Sequence, residues 1–191
     1  LTEPAELIIE AIGGIEPAAG IVEAALARGR AVITANKALI AARWKQLSPY
    51  AAGPEPRLRF SSAVGGSVPV LEAIETLLQA GDRITRVRGV INGTCNFILD
   101  AMAEGKTYAA ALKDAQEKGF AEADPRSDVS GEDAAFKLGI ISALGFGVDL
   151  ALDRIERQGI EHITLEDIAA ARSRSGKIRL VASGERAADG G

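Results

Sequence analysis

Residues 7–34, LIIEAIGGIEPAAGIVEAALARGRAVIT, decide the fold of the first part of the chain. Two short apolar segments, Leu7–Ala11 and Ala31–Thr34, are typical of buried strands. The segment between them, Pro17–Arg28, has apolar residues at helical spacing and a proline at its first position. Gly29 follows directly, which is typical of a helix end. This strand–helix–strand order predicts a parallel α/β sheet.

The pattern changes after residues 60–68, where the regular alternation of strands and helices stops. Outside residues 7–34, helices are predicted over Asn36–Leu47, Pro69–Gln79, Thr94–Ala103, Tyr108–Lys118, Gly131–Leu144 and Thr164–Arg172. Strands are predicted over Leu58–Ser62, Ile84–Ile91 and Lys177–Ala182, and a loop over Ser48–Pro56. We therefore predict an α/β section followed by an α+β section, and we find no internal repeat.

Composition limits the possible classes of protein. Hydrophobic residues make up 47% of the 191 residues, which is enough for a sizeable core. The net charge of −4 argues against a nucleic-acid partner, and no apolar run approaches the roughly 20 residues of a membrane span. Cys95 is the single cysteine, so a reducing, cytoplasmic compartment is expected. The single histidine, His162, has no His or Cys companions, which argues against a transition-metal site.

The richest candidate for chemistry runs from an acidic turn into an apolar helix, Asp124–Lys137. Asp133 and Lys137 are four residues apart and therefore share one face of that helix. A lysine beside carboxylates in a dry cleft can act as an acid or base. Glu122, Asp124 and Asp128 could bind an ammonium group or change the pKa of this lysine. The alternative is a solvated loop with an exposed ion pair of about 0.3–0.5 kcal/mol.

Three other segments could contact a ligand. Thr34–Lys37 follows a strand at the edge of the sheet where ligands bind, although Lys37 could equally be a surface residue. Ser61–Pro69 is rich in small residues and could present carbonyls to an ion or be a plain turn. Asn92–Asn96 joins a strand to a helix start that could bind an anion, or it is a simple turn. Within it, Cys95 is interpreted as a buried structural thiol.

These segments, in this order, resemble the homoserine dehydrogenase family. Ala115–Lys137 is similar to the full signature of that family over 23 positions, including Gly119-Phe-Ala, Asp124-Pro and Asp128-Val. Thr34–Lys37, Val64–Gly66 and Asn92–Thr94 resemble its other landmarks. The similarity covers most of residues 6–147.

The resemblance implies reversible reduction of L-aspartate 4-semialdehyde to L-homoserine with NADP or NAD as cofactor, in the biosynthesis of threonine and methionine. It implies that residues 1–64 are the C-terminal part of an NAD(P)-binding, Rossmann-like domain. Residues 65–191 would then be an α+β catalytic and dimerisation domain with a mixed sheet covered by helices, acting in a homodimer.

The resemblance also implies a role for individual residues. Lys137 matches the proton donor to the aldehyde oxygen, and Lys37 matches a lysine at the junction of cofactor and substrate that is sometimes given the catalytic role. The expected remaining contacts are the substrate with Glu122, Asp128, Asp133 and Thr94, the cofactor with Gly13 and Lys37, and a sodium ion with the backbone of Val64, Gly66 and Val68. Ser61 stands where many members have a glutamate at this cation site.

The family begins with a glycine-rich dinucleotide turn that this sequence does not contain, and the chain starts at Leu1 inside an apparent fold. We therefore expect both ends to be cut from a longer protein, and the chain alone to bind cofactor poorly and to be inactive. Two other classes remain open. One is a non-catalytic oligomerisation module, and the other is a lyase or aldolase with Lys137 as a Schiff-base amine.

Overall fold

The computed structural model describes residues 4–53, 55–148 and 152–187. Their contacts divide the chain into two compact units. The first unit contains the described residues up to 87, those between 136 and 154, and those from 185 onward. The second contains residues 88–135 and 155–184. No helix in the described part of the chain is long and apolar enough to cross a membrane.

The first unit is built on a parallel sheet. Strands β1 (Leu7–Glu10), β2 (Ala31–Thr34) and β3 (Leu58–Arg59) lie in the order β1-β2-β3. Ile8 is in register with Val32, and Val32 with Leu58. The predicted parallel α/β arrangement is therefore confirmed, although β3 is shorter than expected because the chain turns into a short 3₁₀ helix at Ser61–Ala63.

Helices α1 (Ala18–Ala27), α2 (Lys37–Ala42), α3 (Trp44–Ala51) and α4 (Val70–Gln79) complete the unit's N-terminal part. Alternate residues of the strands and the apolar faces of these helices form one core, whose fully buried members include Val22, Leu26, Val32, Leu39, Ile40, Leu47 and Leu58. Ile140 and Ile141 of the later helix α8 belong to the same core.

Two predictions for this unit are wrong in detail. The expected helix over Asn36–Leu47 is interrupted at Arg43, which leaves the helical region with φ −118°. The expected loop over Ser48–Pro56 is partly helical, because α3 continues to Ala51 through Pro49. The fixed φ of proline is compatible with a helix, but its missing N–H removes one hydrogen bond. Packing of Leu47 and Tyr50 against the core accompanies this loss.

The second unit is mainly helical. It contains α5 (Gly93–Ala103), α6 (Tyr108–Glu117), α7 (Arg126–Val129), the start of α8 (Glu132–Phe146) and α9 (Leu165–Ser173). Thr107 caps α6, and Thr164 forms a capping box with Asp167 at the start of α9. Its core is a separate cluster of small and aliphatic side chains, including Ile98, Leu99, Met102, Ala111, Ala115 and Ile160.

Strands β4 (Arg86–Gly89) and β5 (Ala182–Glu185) form a two-stranded sheet. The strand predicted over Lys177–Ala182 is thus displaced toward the C-terminus, because Ile178 and Leu180 pack instead against the helical core of the second unit. Ser130 ends α7 in a helical conformation and is followed by Gly131 at φ +80°. An α/β section followed by an α+β section is nonetheless what the structure shows.

Candidate active site

A buried carboxylate organises the carboxyl ends of β1 and β2 in the first unit. Glu10, the last residue of β1, is 2% exposed. Its carboxylate accepts hydrogen bonds from the hydroxyl of Thr34, from the backbone N–H of Ile12 at 2.7 Å and from that of Gly13 at 3.4 Å. Asn36 Nδ2 adds a further contact at 3.4 Å. One charge therefore anchors the loop after β1 and the start of the segment after β2.

The protonation state of Glu10 follows from these contacts. Burial acts to raise the pKa of Glu10, but the hydrogen bonds from Thr34, Ile12 and Asn36 outweigh it, so the pKa lies below its usual range. The carboxyl group is therefore ionised at neutral pH, and it acts only as a hydrogen-bond acceptor. Sequence reasoning missed Glu10; the available signal was a carboxylate that ends an otherwise apolar strand.

Asn36 connects this carboxylate to the candidate lysine Lys37. Its Oδ1 accepts the backbone N–H of Leu39 at 3.0 Å, which caps α2, and its Nδ2 donates to Gly14 O at 2.6 Å. Lys37 is the first residue of α2 and is half-buried. Gly13, at φ +80°, has no atom within 4 Å of the position that a Cβ would occupy. The loop therefore leaves open space beside Gly13, at the carboxyl ends of the parallel strands.

The Val64–Val68 loop is a tight glycine turn in the same unit. Gly65 and Gly66 have φ of +87° and +59°, and a Cβ on Gly65 would lie 3.1 Å from Val68 O. Val68 O accepts the backbone N–H of Val70 at 2.8 Å. Since a carbonyl oxygen has two lone pairs, this bond leaves one for another partner. The backbone needs glycine here, which agrees with a loop that presents carbonyls.

An open pocket of about 590 Å³ lies beside this loop. Most of the residues that line it have polar side chains; they are Ile33, Arg59, Ser61, Ser62, Gly66, Glu72, Glu75, Thr76 and Gln79. Ser61 hydrogen-bonds to the carboxylate of Glu72 and lowers the pKa of that group. Within the described residues, no cluster of three or more His, Cys, Asp or Glu side chains is arranged to hold a metal ion.

The second unit brings Asn92, Asp128 and Asp133 together. Asn92 Nδ2 donates to Asp128 Oδ1 at 2.7 Å and to Asp133 Oδ2 at 3.0 Å. Asn92 is 2% exposed and Asp133 is 5% exposed. Asp133 is thus buried, as the apolar helix face predicted, and lies one helical turn before Lys137 on α8. Lys137 is half-buried. The alternative of a fully exposed ion pair does not fit this burial.

Thr94 supports the loop that carries Glu122. The hydroxyl of Thr94 donates to Phe120 O at 2.6 Å. The ring of Phe120 stacks on Phe97 with centroids 4.8 Å apart. Gln116 Nε2 donates to Glu122 O at 3.2 Å, which fixes the backbone, while the side chain of Glu122 is exposed. Glu122 is therefore an accessible carboxylate on a braced loop.

The surroundings of Asp124 and Cys95 shift the pKa values of their side chains. Arg126 forms a fork of hydrogen bonds with Asp124, at 2.8 Å from Nε and 2.5 Å from Nη2, and lowers the pKa of Asp124 to about 2. Burial, with the nearby carboxylates of Asp128 and Asp133, raises the pKa of Cys95 to about 12. A thiol that stays protonated is a poor nucleophile, which agrees with Cys95 as a structural residue.

Comparison with known proteins identifies the two parts of the chain. Residues 1–60 match the family model described as "Homoserine dehydrogenase, NAD binding domain", and residues 69–188 match that described as "Homoserine dehydrogenase". The homoserine dehydrogenase of Corynebacterium glutamicum is 43% identical over 185 residues, covering 96% of this chain and 41% of that protein. That of Bacillus subtilis is 40% identical over 182 residues, covering 95% and 42%.

Solved structures give the same result. The crystal structure of a homoserine dehydrogenase from Thiobacillus denitrificans matches with a TM-score of 0.87 at 38% identity, covering 95% of this chain and 42% of that one. A hyperthermophilic archaeal homoserine dehydrogenase in complex with NADPH matches with a TM-score of 0.75 at 29% identity, covering 94% and 52%. The chain spans less than half the length of the curated relatives above. It belongs to the homoserine dehydrogenase family.

Proposed function

We propose that this chain is part of an NAD(P)-dependent oxidoreductase that interconverts L-homoserine and L-aspartate 4-semialdehyde. The observation that carries the proposal is the pair of carboxylates held by Asn92, Asp128 and Asp133, of which Asp133 lies one helical turn before Lys137 on α8. An amino-acid substrate brings an ammonium group that acidic side chains can bind. A lysine next in the same helix supplies a proton donor for the reacting oxygen.

Nicotinamide cofactor binding is supported by the NAD-binding family model over residues 1–60. We assign contacts with it to Gly13 and Lys37, at the carboxyl edge of the parallel sheet where dinucleotides bind. Gly13 leaves open space and Glu10 holds its backbone in place. When bound, the cofactor supplies or accepts the hydride. NADP and NAD both fit these observations.

We assign the proton transfer to Lys137. As the aldehyde carbon of the semialdehyde is reduced, its oxygen gains negative charge, and Lys137 donates a proton to that oxygen. In the reverse direction, the neutral lysine accepts the hydroxyl proton of homoserine. Lys37 is the second candidate for the proton donor, since it lies just after β2, at the carboxyl ends of the parallel strands. The two candidates differ in the expected effect of their substitution.

Substrate binding is assigned to Glu122, Asp128, Asp133 and Thr94. Glu122 presents an exposed carboxylate on a braced loop and is the best candidate for direct contact with the ammonium group. Thr94 holds that loop in place, because its hydroxyl donates a hydrogen bond to Phe120 O. Asp128 and Asp133 add negative charge that favours a cationic group.

A monovalent cation such as sodium is assigned to the backbone carbonyls of Val64, Gly66 and Val68. The tight glycine turn and the accepting oxygen of Val68 fit a carbonyl site. Ser61 lacks the carboxylate that many members have at this position, but its side chain donates a hydrogen bond to the carboxylate of Glu72. Thermal unfolding in NaCl and in choline chloride at equal ionic strength tests this site. A higher Tm in NaCl supports it, and equal Tm values contradict it.

We also propose residues 1–64 as the cofactor-binding part and residues 65–191 as the catalytic and dimerisation part of a cytoplasmic homodimer. Support for association comes from β4 and β5, whose two-stranded sheet leaves edge hydrogen-bonding groups that a second copy can pair. Light scattering on the full-length protein at micromolar concentration tests the dimer, and a strictly monomeric species contradicts it.

The activity itself is tested by incubating the full-length protein with L-homoserine and NADP or NAD and following nicotinamide absorbance. We expect homoserine-dependent reduction of one or both cofactors, and reversal with L-aspartate 4-semialdehyde. Absence of turnover with both cofactors contradicts the proposal. Covalent trapping of an aldehyde on Lys137 by borohydride would instead indicate Schiff-base chemistry.

A further inference from the structure

The side-chain amide of Asn92 uses both of its donor hydrogens on carboxylates. A primary amide has two N–H donors, and Asn92 Nδ2 lies 2.7 Å from Asp128 Oδ1 and 3.0 Å from Asp133 Oδ2. The two carboxylates come from different helices, 36 and 41 residues further along the chain. Asn92 therefore joins two acidic residues that local sequence alone does not bring together.

The hydrogen bond that Asn92 Oδ1 accepts fixes the orientation of this amide. Asn92 Oδ1 accepts the backbone N–H of Cys95 at 2.8 Å, which caps α5. The backbone carbonyl of Asn92 accepts Asn96 Nδ2 at 2.7 Å. A flipped amide would turn its NH₂ group toward the N–H of Cys95 and its oxygen toward two carboxylates. The network thus permits one orientation only.

This arrangement holds two negatively charged groups close together. Two carboxylates that bind the same nitrogen lie close together and repel each other, more strongly where water is excluded. The neutral amide holds both without cancelling their negative charge. The positions of the two carboxylates are therefore set by a neutral side chain that is itself 2% exposed.

We propose that Asn92 is a positioning residue, which fixes the substrate-binding residues Asp128 and Asp133 without itself touching the substrate. This inference rests on the function proposed above. The role differs from simple helix capping, because capping requires only the oxygen of Asn92 whereas positioning requires its NH₂ group. The two roles can therefore be separated by substitution.

Asn92→Asp and Asn92→Ser provide that separation. Aspartate and serine are N-caps comparable to asparagine, so both variants keep an oxygen for the N–H of Cys95 and lose the NH₂ group. Asn92→Ser does so without adding charge, and it tests the idea even if a third carboxylate prevents Asn92→Asp from folding. Thr107→Asp is the matched control, because it places aspartate at the exposed N-cap of α6, whose partner is Ala110 N.

We expect kcat/KM for L-homoserine to fall about 10²-fold in Asn92→Ser, the scale of a misplaced binding group, with the cofactor Kd unchanged. Thr107→Asp should retain wild-type values. If Asn92→Ser stays within about threefold of wild type, or loses cofactor binding in the same proportion as kcat/KM, the positioning role is wrong. Absence of turnover in the wild-type protein would instead contradict the proposed function, and direct calorimetry with L-homoserine would still compare the variants.

Discussion

The hydroxyl of Thr34 donates a hydrogen bond to the carboxylate of Glu10, joining the last residues of two adjacent parallel strands. Both residues are buried, with exposures of 0% and 2%. The same carboxylate holds the backbone of Ile12 and Gly13, so the geometry of the candidate cofactor edge depends on one ionised side chain.

Glu10→Gln should destabilise the protein by about 1.5–3 kcal/mol, the scale of a lost hydrogen bond to a charged group. The glutamine NH₂ would also face donors that need an acceptor. Urea unfolding measures the change in the free energy of unfolding. Glu16→Gln is the control, because Glu16 is exposed and pairs with Arg43 at the surface; it should change stability by less than about 0.5 kcal/mol.

The effect of Glu10→Gln should depend on pH. The pKa of Glu10 in the folded state lies below the ordinary value of 4.5, so its ionised form contributes stability that is fully present above that value. This contribution is lost as the pH falls through the folded-state pKa. The stability difference between wild type and Glu10→Gln should therefore be constant from pH 6 to 8 and shrink under more acidic conditions. A difference that grows on acidification contradicts the assignment.

Glu122→Gln should weaken binding of the amino-acid substrate and leave the cofactor unaffected. Replacing the carboxylate by an amide removes a charge-assisted contact worth about 1.5–3 kcal/mol, which raises KM for L-homoserine roughly 10-fold or more. Steady-state kinetics with each substrate varied in turn measure this. Glu117→Gln, an exposed glutamate paired with Lys113, is the control. An unchanged kcat/KM for homoserine in Glu122→Gln rejects its role.

The Cys95 thiol should be unreactive in the folded protein. Its pKa of about 12 and its complete burial leave little thiolate at pH 8, so alkylation by iodoacetamide should be about 10³-fold slower than in urea. Mass spectrometry of the peptide containing Cys95 measures both rates, with the unfolded protein as its own control. Similar rates in the two states would show that the thiol is accessible.

Local patterns predicted much of the first unit. Apolar strands, the proline at residue 17 and Gly29 set β1, α1 and β2 almost to the residue, because these signals act within one turn or strand. The same reasoning misplaced the strand near residue 182, since packing of Ile178 and Leu180 against helices that lie far away in the sequence decided that region.

The burial of Asp133 on α8 was predictable, because its neighbours on that helix are apolar. The clustering around Asn92 was not, because its hydrogen bonds reach 36 and 41 residues along the chain. The role of Glu10 was likewise hidden, since a carboxylate after an apolar strand is usually solvated and only the fold shows its burial. Long-range contacts thus account for both omissions.

The most direct test of the proposed chemistry is kcat for Lys137→Met in the full-length protein, with folding checked by circular dichroism and cofactor binding by calorimetry. Methionine keeps the aliphatic length of lysine and removes its proton. Loss of the general acid should lower kcat by about 10²–10⁴-fold without weakening cofactor binding, whereas Lys113→Met, at an exposed ion pair with Glu117, should have no effect. If Lys137→Met retains more than about a tenth of the wild-type kcat, Lys137 is not the proton donor, and Lys37 takes its place in the account.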